Sequence, residues 1–171
     1  MLRLSLLRHA KSSWDDPELS DHERQLTRRG TKAASRIGRY IAENDLSPEL
    51  ILCSDAIRAR ATLALVLAAL EQAAPETTIT EKLYLAAPDD ILSTIEHEAG
   101  EASHVMVIGH NPGLHALALS LPATGPHKAL TQLAMKYPTA ALAHITFDAN
   151  SWTDIAPATG ELQSYITPRM L

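Results

Sequence analysis

An arginine and a histidine, Arg8 and His9, follow the apolar run Leu4-Ser5-Leu6-Leu7 and precede Ala10-Lys11-Ser12-Ser13-Trp14. The arginine offers a planar fork of donors suited to an anion such as phosphate, and a neutral imidazole beside it has a lone pair able to attack phosphorus. Two more residues of the same kind stand in matching places. Arg58 comes shortly after the apolar run Leu50-Ile51-Leu52-Cys53, and His110 comes just after Val105-Met106-Val107-Ile108-Gly109. Two arginines can hold the equatorial oxygens of a transferring phosphoryl group, a second imidazole can donate to the third, and His9 can attack in line. Arg60 lies two positions from Arg58 on a different helix face, and is expected to be solvated.

For these residues to meet, each must lie where a strand ends. Side chains on a strand alternate faces, so Arg8 and His9 can reach one ligand only if the backbone turns after the apolar run. In open α/β sheets the carboxyl edge of the strands is where ligands bind. The intervening patterns supply the required crossovers. Residues 12–29 read as a polar loop with Pro17 and the acids Asp15, Asp16, Glu18, Asp21 and Glu23. Helical spacing of Ala33, Ala34, Ile37 and Ile41 predicts a helix from about Gly30 to Asn44, and a long Ala/Leu helix is expected after Arg58, ending near Ala74-Pro75. Residues 76–87 read as a connection with a short strand. Pro88-Asp89-Asp90 is read as the cap of a third helix carrying Ile91, Leu92 and Ile95. Pro112 with Asn111 as its cap would place His110 ahead of a positive helix end. Residues 122–138 read as a connection with a short helical stretch around Leu130 to Met135, Leu142 to Phe147 as a strand, and Gln163 to Ile166 as an edge strand. The whole predicts one α/β domain spanning 1–171, three layers deep, with a mostly parallel central sheet and right-handed crossovers.

The bulk composition narrows the function classes. With 171 residues, 46% of them apolar and 20% charged, the chain can bury a core of its own. A net charge of −5 disfavours a general nucleic-acid binder, so any phosphate site must be locally cationic. Cys53 is the only cysteine, which argues against disulfides and thiolate metal clusters. The eight histidines lack zinc-type spacing, so neither a metal nor another cofactor is expected. No apolar run approaches membrane-spanning length, and the first one, broken by Arg3 and followed by Arg8 and His9, does not read as a signal peptide. The expectation is a cytoplasmic protein without a membrane or nucleic-acid partner.

Four segments carry a family resemblance: Leu7-Arg8-His9-Ala10-Lys11-Ser12, Arg24-Gln25-Leu26-Thr27-Arg28-Arg29-Gly30, Ser54-Asp55-Ala56-Ile57-Arg58-Ala59 and Val107-Ile108-Gly109-His110-Asn111-Pro112-Gly113-Leu114. They resemble, in order, the motifs of the histidine phosphatase superfamily. Within it the chain is most similar to the short bacterial phosphohistidine phosphatases of the SixA type, as are Pro138-Thr139-Ala140-Ala141-Leu142-Ala143 and the ending Pro168-Arg169-Met170-Leu171. The resemblance implies a phosphoglycerate-mutase-like fold without a lid insertion, His9 as the phosphorylated nucleophile, and Arg8, Arg58 and His110 as the rest of the phosphate pocket.

Some positions depart from that pattern. Ala10 and Ala140 replace glycines, Gln25 and Asp55 replace prolines, and Asp55 brings a carboxylate towards Arg58, where it could weaken anion binding or orient the guanidinium. Mutase-like relatives supply a glutamate after the third strand, where this chain has Lys82-Leu83-Tyr84-Leu85-Ala86-Ala87. Asp21 is the candidate to act instead, either in proton transfer or by holding Arg24. The leading expectation is a metal-independent phosphatase acting through phospho-His9 on a phosphohistidine-bearing protein. The alternatives are a general small-molecule phosphomonoesterase and a non-catalytic phosphate- or phosphoprotein-binding module.

Overall fold

A computed structural model describes residues 1–70 and 75–171. Seven strands form one sheet: β1 (Leu2–Arg8), β2 (Leu50–Ser54), β3 (Glu76–Thr80), β4 (His104–Gly109), β5 (Pro122–Thr124), β6 (Leu142–Phe147) and β7 (Gly160–Ile166), in the order β3-β2-β4-β1-β6-β7-β5. From β3 to β1 all neighbours are parallel; β6 then runs antiparallel to both β1 and β7, and β5 is parallel to β7. The helices are α1 (Arg28–Glu43), α2 (Ile57–Ala69), α3 (Pro88–Glu98), α4 (Gly113–Ser120) and α5 (His127–Met135).

The alternation of side chains along the central strands divides the interior in two. Leu4, Leu6, Leu50, Leu52, Val105 and Val107 point to one face, and pack with Ile91, Ile95, Leu114, Leu117 and Leu133 of α3, α4 and α5. Leu7, Ile51, Cys53, Met106 and Ile108 point to the other, against α1 and α2. Strands buried on both faces are apolar at nearly every position, which is why these runs read as continuous rather than alternating. On α1 the buried positions Ala34, Ile37, Gly38 and Ile41 form one stripe, and the Thr27 side chain caps the helix by accepting from the Gly30 amide at 2.9 Å.

The expected three-layer architecture is present, and four local expectations are corrected. Gln163 to Ile166 belong to a seven-residue strand, β7, that is not at the edge; the edge position is taken by β5, three residues long and too short to leave a sequence pattern. Asp89 and Asp90 are first-turn residues of α3 behind Pro88, with Ala87 at the cap position, so they favour the positive helix end without capping it. Asn111 does not cap α4: Pro112 holds that position, and the Asn111 amide donates instead to the Tyr137 carbonyl at 2.8 Å. Asp55 pairs with His22 at 3.0 Å, and among the described residues no hydrogen bond or ion pair joins it to Arg58. The helix after Arg58 is described to Ala69, and its expected end near Ala74 lies outside the described residues.

Candidate active site

The parallel register sets Arg8 opposite Gly109 and Cys53 opposite Ile108, so β1, β4 and β2 finish side by side. The chain leaves β1 with the His9 amide donating to the Gly109 carbonyl at 3.1 Å, and the Ala140 amide bonds to the carbonyls of both Arg8 and His9. Ala140 has φ +59°, in the left-handed region where glycine is usual. Just beyond His9, the Ala10 amide donates to the Thr62 hydroxyl of α2 at 2.9 Å. His9 is thereby fixed between the sheet edge and α2.

Arg8, His9, Arg58, His110 and Asp21 all line one cleft of about 450 Å3. The Nδ1 of His9 donates to the Ala10 carbonyl at 2.8 Å. The carbonyl can only accept, so Nε2 carries the lone pair, and that lone pair accepts from Nε of Arg58 at 3.3 Å. Burial first, then the charges of Arg58 and Arg8, push His9 down to about 4 against the opposing pull of the Ala10 carbonyl. At neutral pH the ring is uncharged, with a lone pair on Nε2. The His110 ring lies 5.0 Å from that of His9, centroid to centroid. Its Nδ1 accepts from Arg58 at 3.3 Å, which leaves Nε2 as the donor to the Ser54 hydroxyl at 2.7 Å. Burial, His9 and Arg58 hold His110 at about 3, so it too is neutral.

The two arginines are held differently. Arg8 donates to the Tyr137 carbonyl at 3.0 Å but leaves its buried Nε without a partner, a donor to spare for an anion. Arg58, only 2% exposed, is gripped by the short turn Asp21–Glu23: it donates to the Asp21 backbone carbonyl at 2.6 Å and to the Asp21 carboxylate at 3.0 Å. That turn is itself pinned, because the Ser20 amide and hydroxyl both donate to the Glu23 carboxylate at 3.1 and 2.8 Å. Asp21 also accepts from Arg24 at 3.1 Å and from the Tyr84 hydroxyl at 2.5 Å. Burial pushes Asp21 upward, but Tyr84, Arg58 and Arg24 together override it and hold the carboxyl at about 2. The group is therefore an ionised acceptor at neutral pH, with each of its oxygens occupied by a cation.

Tyr84 and Ser54 were not among the sequence candidates, whereas Arg24 is held by Asp21 as one expectation had it. Tyr84 occupies the segment that in mutase-like relatives carries a glutamate, and its ring stands edge-on to His110 at 5.4 Å. No local signal marks a tyrosine as the partner of an aspartate 63 residues away. Ser54 could have been found, since it ends the apolar run of β2 at the same sheet edge as His9 and His110. Arg60 is exposed, as expected. Among the described residues there is no grouping of histidine, cysteine or carboxylate side chains able to hold a metal ion, and no helix long and apolar enough to cross a membrane.

Comparison with known proteins agrees with this architecture. Residues 4–84 match the family model of the histidine phosphatase superfamily (branch 1). An uncharacterized protein of Mycobacterium leprae is 34% identical over 169 residues, covering 95% of this chain and 100% of the relative. An uncharacterized chloroplastic protein of Arabidopsis thaliana is 31% identical over 180 residues, covering 97% of this chain and 78% of that one. Among solved structures, a SixA protein from Agrobacterium tumefaciens superposes with a TM-score of 0.80 at 28% identity, covering 98% of both chains. A protein histidine phosphatase SixA complexed with tungstate shares the fold, with a TM-score of 0.77 at 21% identity over 99% of both chains. With three of the four motifs at the ends of neighbouring strands and the fourth leading into α1, and with relatives matched over at least 95% of this chain, the chain belongs to the histidine phosphatase superfamily and, within it, to the SixA type.

Proposed function

We propose that the protein is a metal-independent phosphohistidine phosphatase that works through a phosphorylated His9. The observation that carries this reading is the neutral His9 ring, its Nδ1 proton tied to the Ala10 carbonyl and its Nε2 lone pair turned towards Arg58 in a cleft shared with Arg8 and His110. Arg58 releases that lone pair as a phosphoryl group enters. His9 Nε2 then attacks phosphorus, the bond to the leaving nitrogen breaks, and the leaving imidazole, already protonated on its other ring nitrogen, keeps the electron pair and departs neutral. The phosphorylated His9 ring is stabilised through its Nδ1 proton by the Ala10 carbonyl. Water attacks the phosphorus next, releasing inorganic phosphate and restoring neutral His9.

Arg8 and Arg58 stabilise the charge that spreads over the phosphoryl oxygens. His110 contributes a hydrogen bond once its proton sits on Nδ1, and the Ser54 hydroxyl, able to donate as well as accept, can support either tautomer. Asp21 orients Arg58 and Arg24 and is too acidic to protonate a leaving group at neutral pH. The other carboxylate lining the cleft, Asp15, is exposed at its rim. An alkoxide leaving group needs a proton in the transition state, whereas an imidazole with a pKa of roughly 6.5 departs without one. The site accordingly favours phosphohistidine over alkyl phosphate esters.

The test is turnover across phosphoramidate, free phosphohistidine, aryl phosphates and alkyl phosphates. Phosphoramidates should exceed alkyl esters by orders of magnitude, and rates among esters should depend steeply on leaving-group pKa. Acid quenching should destroy the labelled enzyme intermediate, which His9→Ala should not form. Equal rates for phosphoserine and phosphohistidine would overturn the assignment in favour of a general phosphomonoesterase. A chain that binds phosphate without turning over any of these compounds would be a binding module.

A further inference from the structure

Beside the catalytic cleft, and sharing Lys11 and Thr139 with it, runs a second groove of about 300 Å3 lined by Lys11, Arg29, Lys136 and Arg169 together with Thr139 and Thr167. The four cations come from four separate places in the chain: the turn after His9, the first turn of α1, the end of α5 and the C-terminal turn Pro168–Met170. All four are exposed, no acidic residue lines the groove, and none of the four pairs with a carboxylate within 4.0 Å among the described residues. A chain of net charge −5 thus gathers four uncompensated positive charges next to its nucleophile. Mutual repulsion makes such a grouping unfavourable for the fold alone.

We infer that this groove is a docking site for carboxylate-rich protein surface flanking the phosphorylated side chain, an inference that rests on the phosphohistidine reading and specifies which phosphoproteins it serves. The cleft's own cations, Arg8, Arg24 and Arg58, are largely withdrawn from solvent and held by carbonyls or by Asp21, as suits a small rigid anion. The groove's cations are exposed and without a carboxylate partner among the described residues, as suits long-range attraction of a protein face. The mouth of the cleft points the same way. Trp14 is 75% exposed with Arg24 stacked 3.5 Å from its ring centroid, and Leu85 is 52% exposed despite a left-handed φ of +49°. Apolar groups at a rim, flanked by charge, are what a macromolecular partner covers.

The experiment compares a histidine peptide flanked by glutamates with one flanked by alanines, both phosphorylated with phosphoramidate, on the wild-type chain and on the triple variant Arg29→Glu, Lys136→Glu, Arg169→Glu. The acidic peptide should show kcat/KM roughly tenfold or more above the neutral one, through KM and falling with salt, because three exposed charge pairs are engaged. The triple variant should erase that preference and leave the rates on free phosphohistidine and the neutral peptide unchanged. Fluorescence anisotropy of an unphosphorylated, labelled hexaglutamate peptide on His9→Ala, with and without the three reversals, reads the groove without any turnover. Binding that the reversals abolish supports the groove even if phosphohistidine proves not to be the substrate. Equal handling of acidic and neutral peptides, or hexaglutamate binding indifferent to the reversals, would overturn the inference. So would a charge-reversal effect confined to a small bisphosphate, which would make the groove a second phosphate subsite.

Discussion

Asp21 binds two arginines and a tyrosine through one carboxylate, and its replacement separates two roles that a rate loss alone would confound. Asp21→Asn keeps the shape but removes the charge that aims Arg58 at the cleft, and kcat on an aryl phosphate should fall about tenfold or more, as for partial loss of a preorganised charge-stabilising group. The dependence of rate on leaving-group pKa should stay as steep as in the wild type, because a positioning carboxylate takes no part in proton transfer. A steeper dependence in the variant would show that Asp21 had been supplying the proton. His9, the proposed nucleophile, makes a separate prediction. His9 must be neutral to attack, and its folded value is lowered to about 4, chiefly by burial. After correction for substrate ionisation, kcat/KM should therefore hold down to about pH 4 and fall below it. An acid limb near 6.5, the ordinary histidine value, would mean that the ring is not buried as described.

At the scale of the elements, the site depends on helices packed unusually close to the loops that carry it. Gly30 in the first turn of α1 lies against the Lys11 carbonyl, where an added Cβ would run into backbone, and Gly113 at the start of α4 meets the Ala86 carbonyl in the same way. Backbone cannot swing aside as a side chain can. Gly30→Ala should push α1 away from the segment just after His9, at a cost of about 1–3 kcal/mol in stability by the usual scale of overpacking. Activity should fall by more than the folded fraction explains, because the displaced segment includes the Ala10 carbonyl that holds Nδ1 of His9. Urea denaturation together with kcat on an aryl phosphate would check both; wild-type stability and rate would show that α1 has room to move. Helix α1 and strands β1, β2 and β4 were legible from periodicity. Strand β5 was not, because three residues with one face on a neighbour carry no period.

Over the whole molecule, the buried histidines link stability to acidity. Away from the cleft, the Ser5 hydroxyl of β1 bridges Nε2 of His104 in β4 and Nδ1 of His144 in β6 at 2.9 and 3.0 Å. Burial, then Arg3, lower both rings, His104 to about 3 and His144 to about 4, and burial does the same for His9 and His110. A histidine whose folded value lies below its unfolded one binds its proton in the unfolded chain first. Its contribution is complete above about pH 6.5 and is lost as the pH falls towards 3–4, by up to about 1.4 kcal/mol per pH unit for each ring. Urea midpoints measured at pH 7, 6 and 5 should drop steeply between the last two, and a flat profile would contradict neutral burial of these rings. His104 and His144 are thus hydrogen-bonded members of the sheet, a role that histidine spacing in the sequence does not reveal.

What the sequence by itself determined was the set of strand-end residues and the layers that present them. Apolar runs of strand length and amphipathic helical stripes are local patterns, fixed by which faces must be buried, and Arg8, His9, Arg58 and His110 stand at their ends. The partners of those residues were decided only by the tertiary structure. Asp21 meets Arg58 across 37 residues and Tyr84 across 63, Asp55 turns to His22 rather than Arg58, and the four cations of the second groove come together from opposite ends of the chain. Such pairings depend on how crossovers and loops close in space, where each contact competes with others of similar energy, and no local period records the outcome.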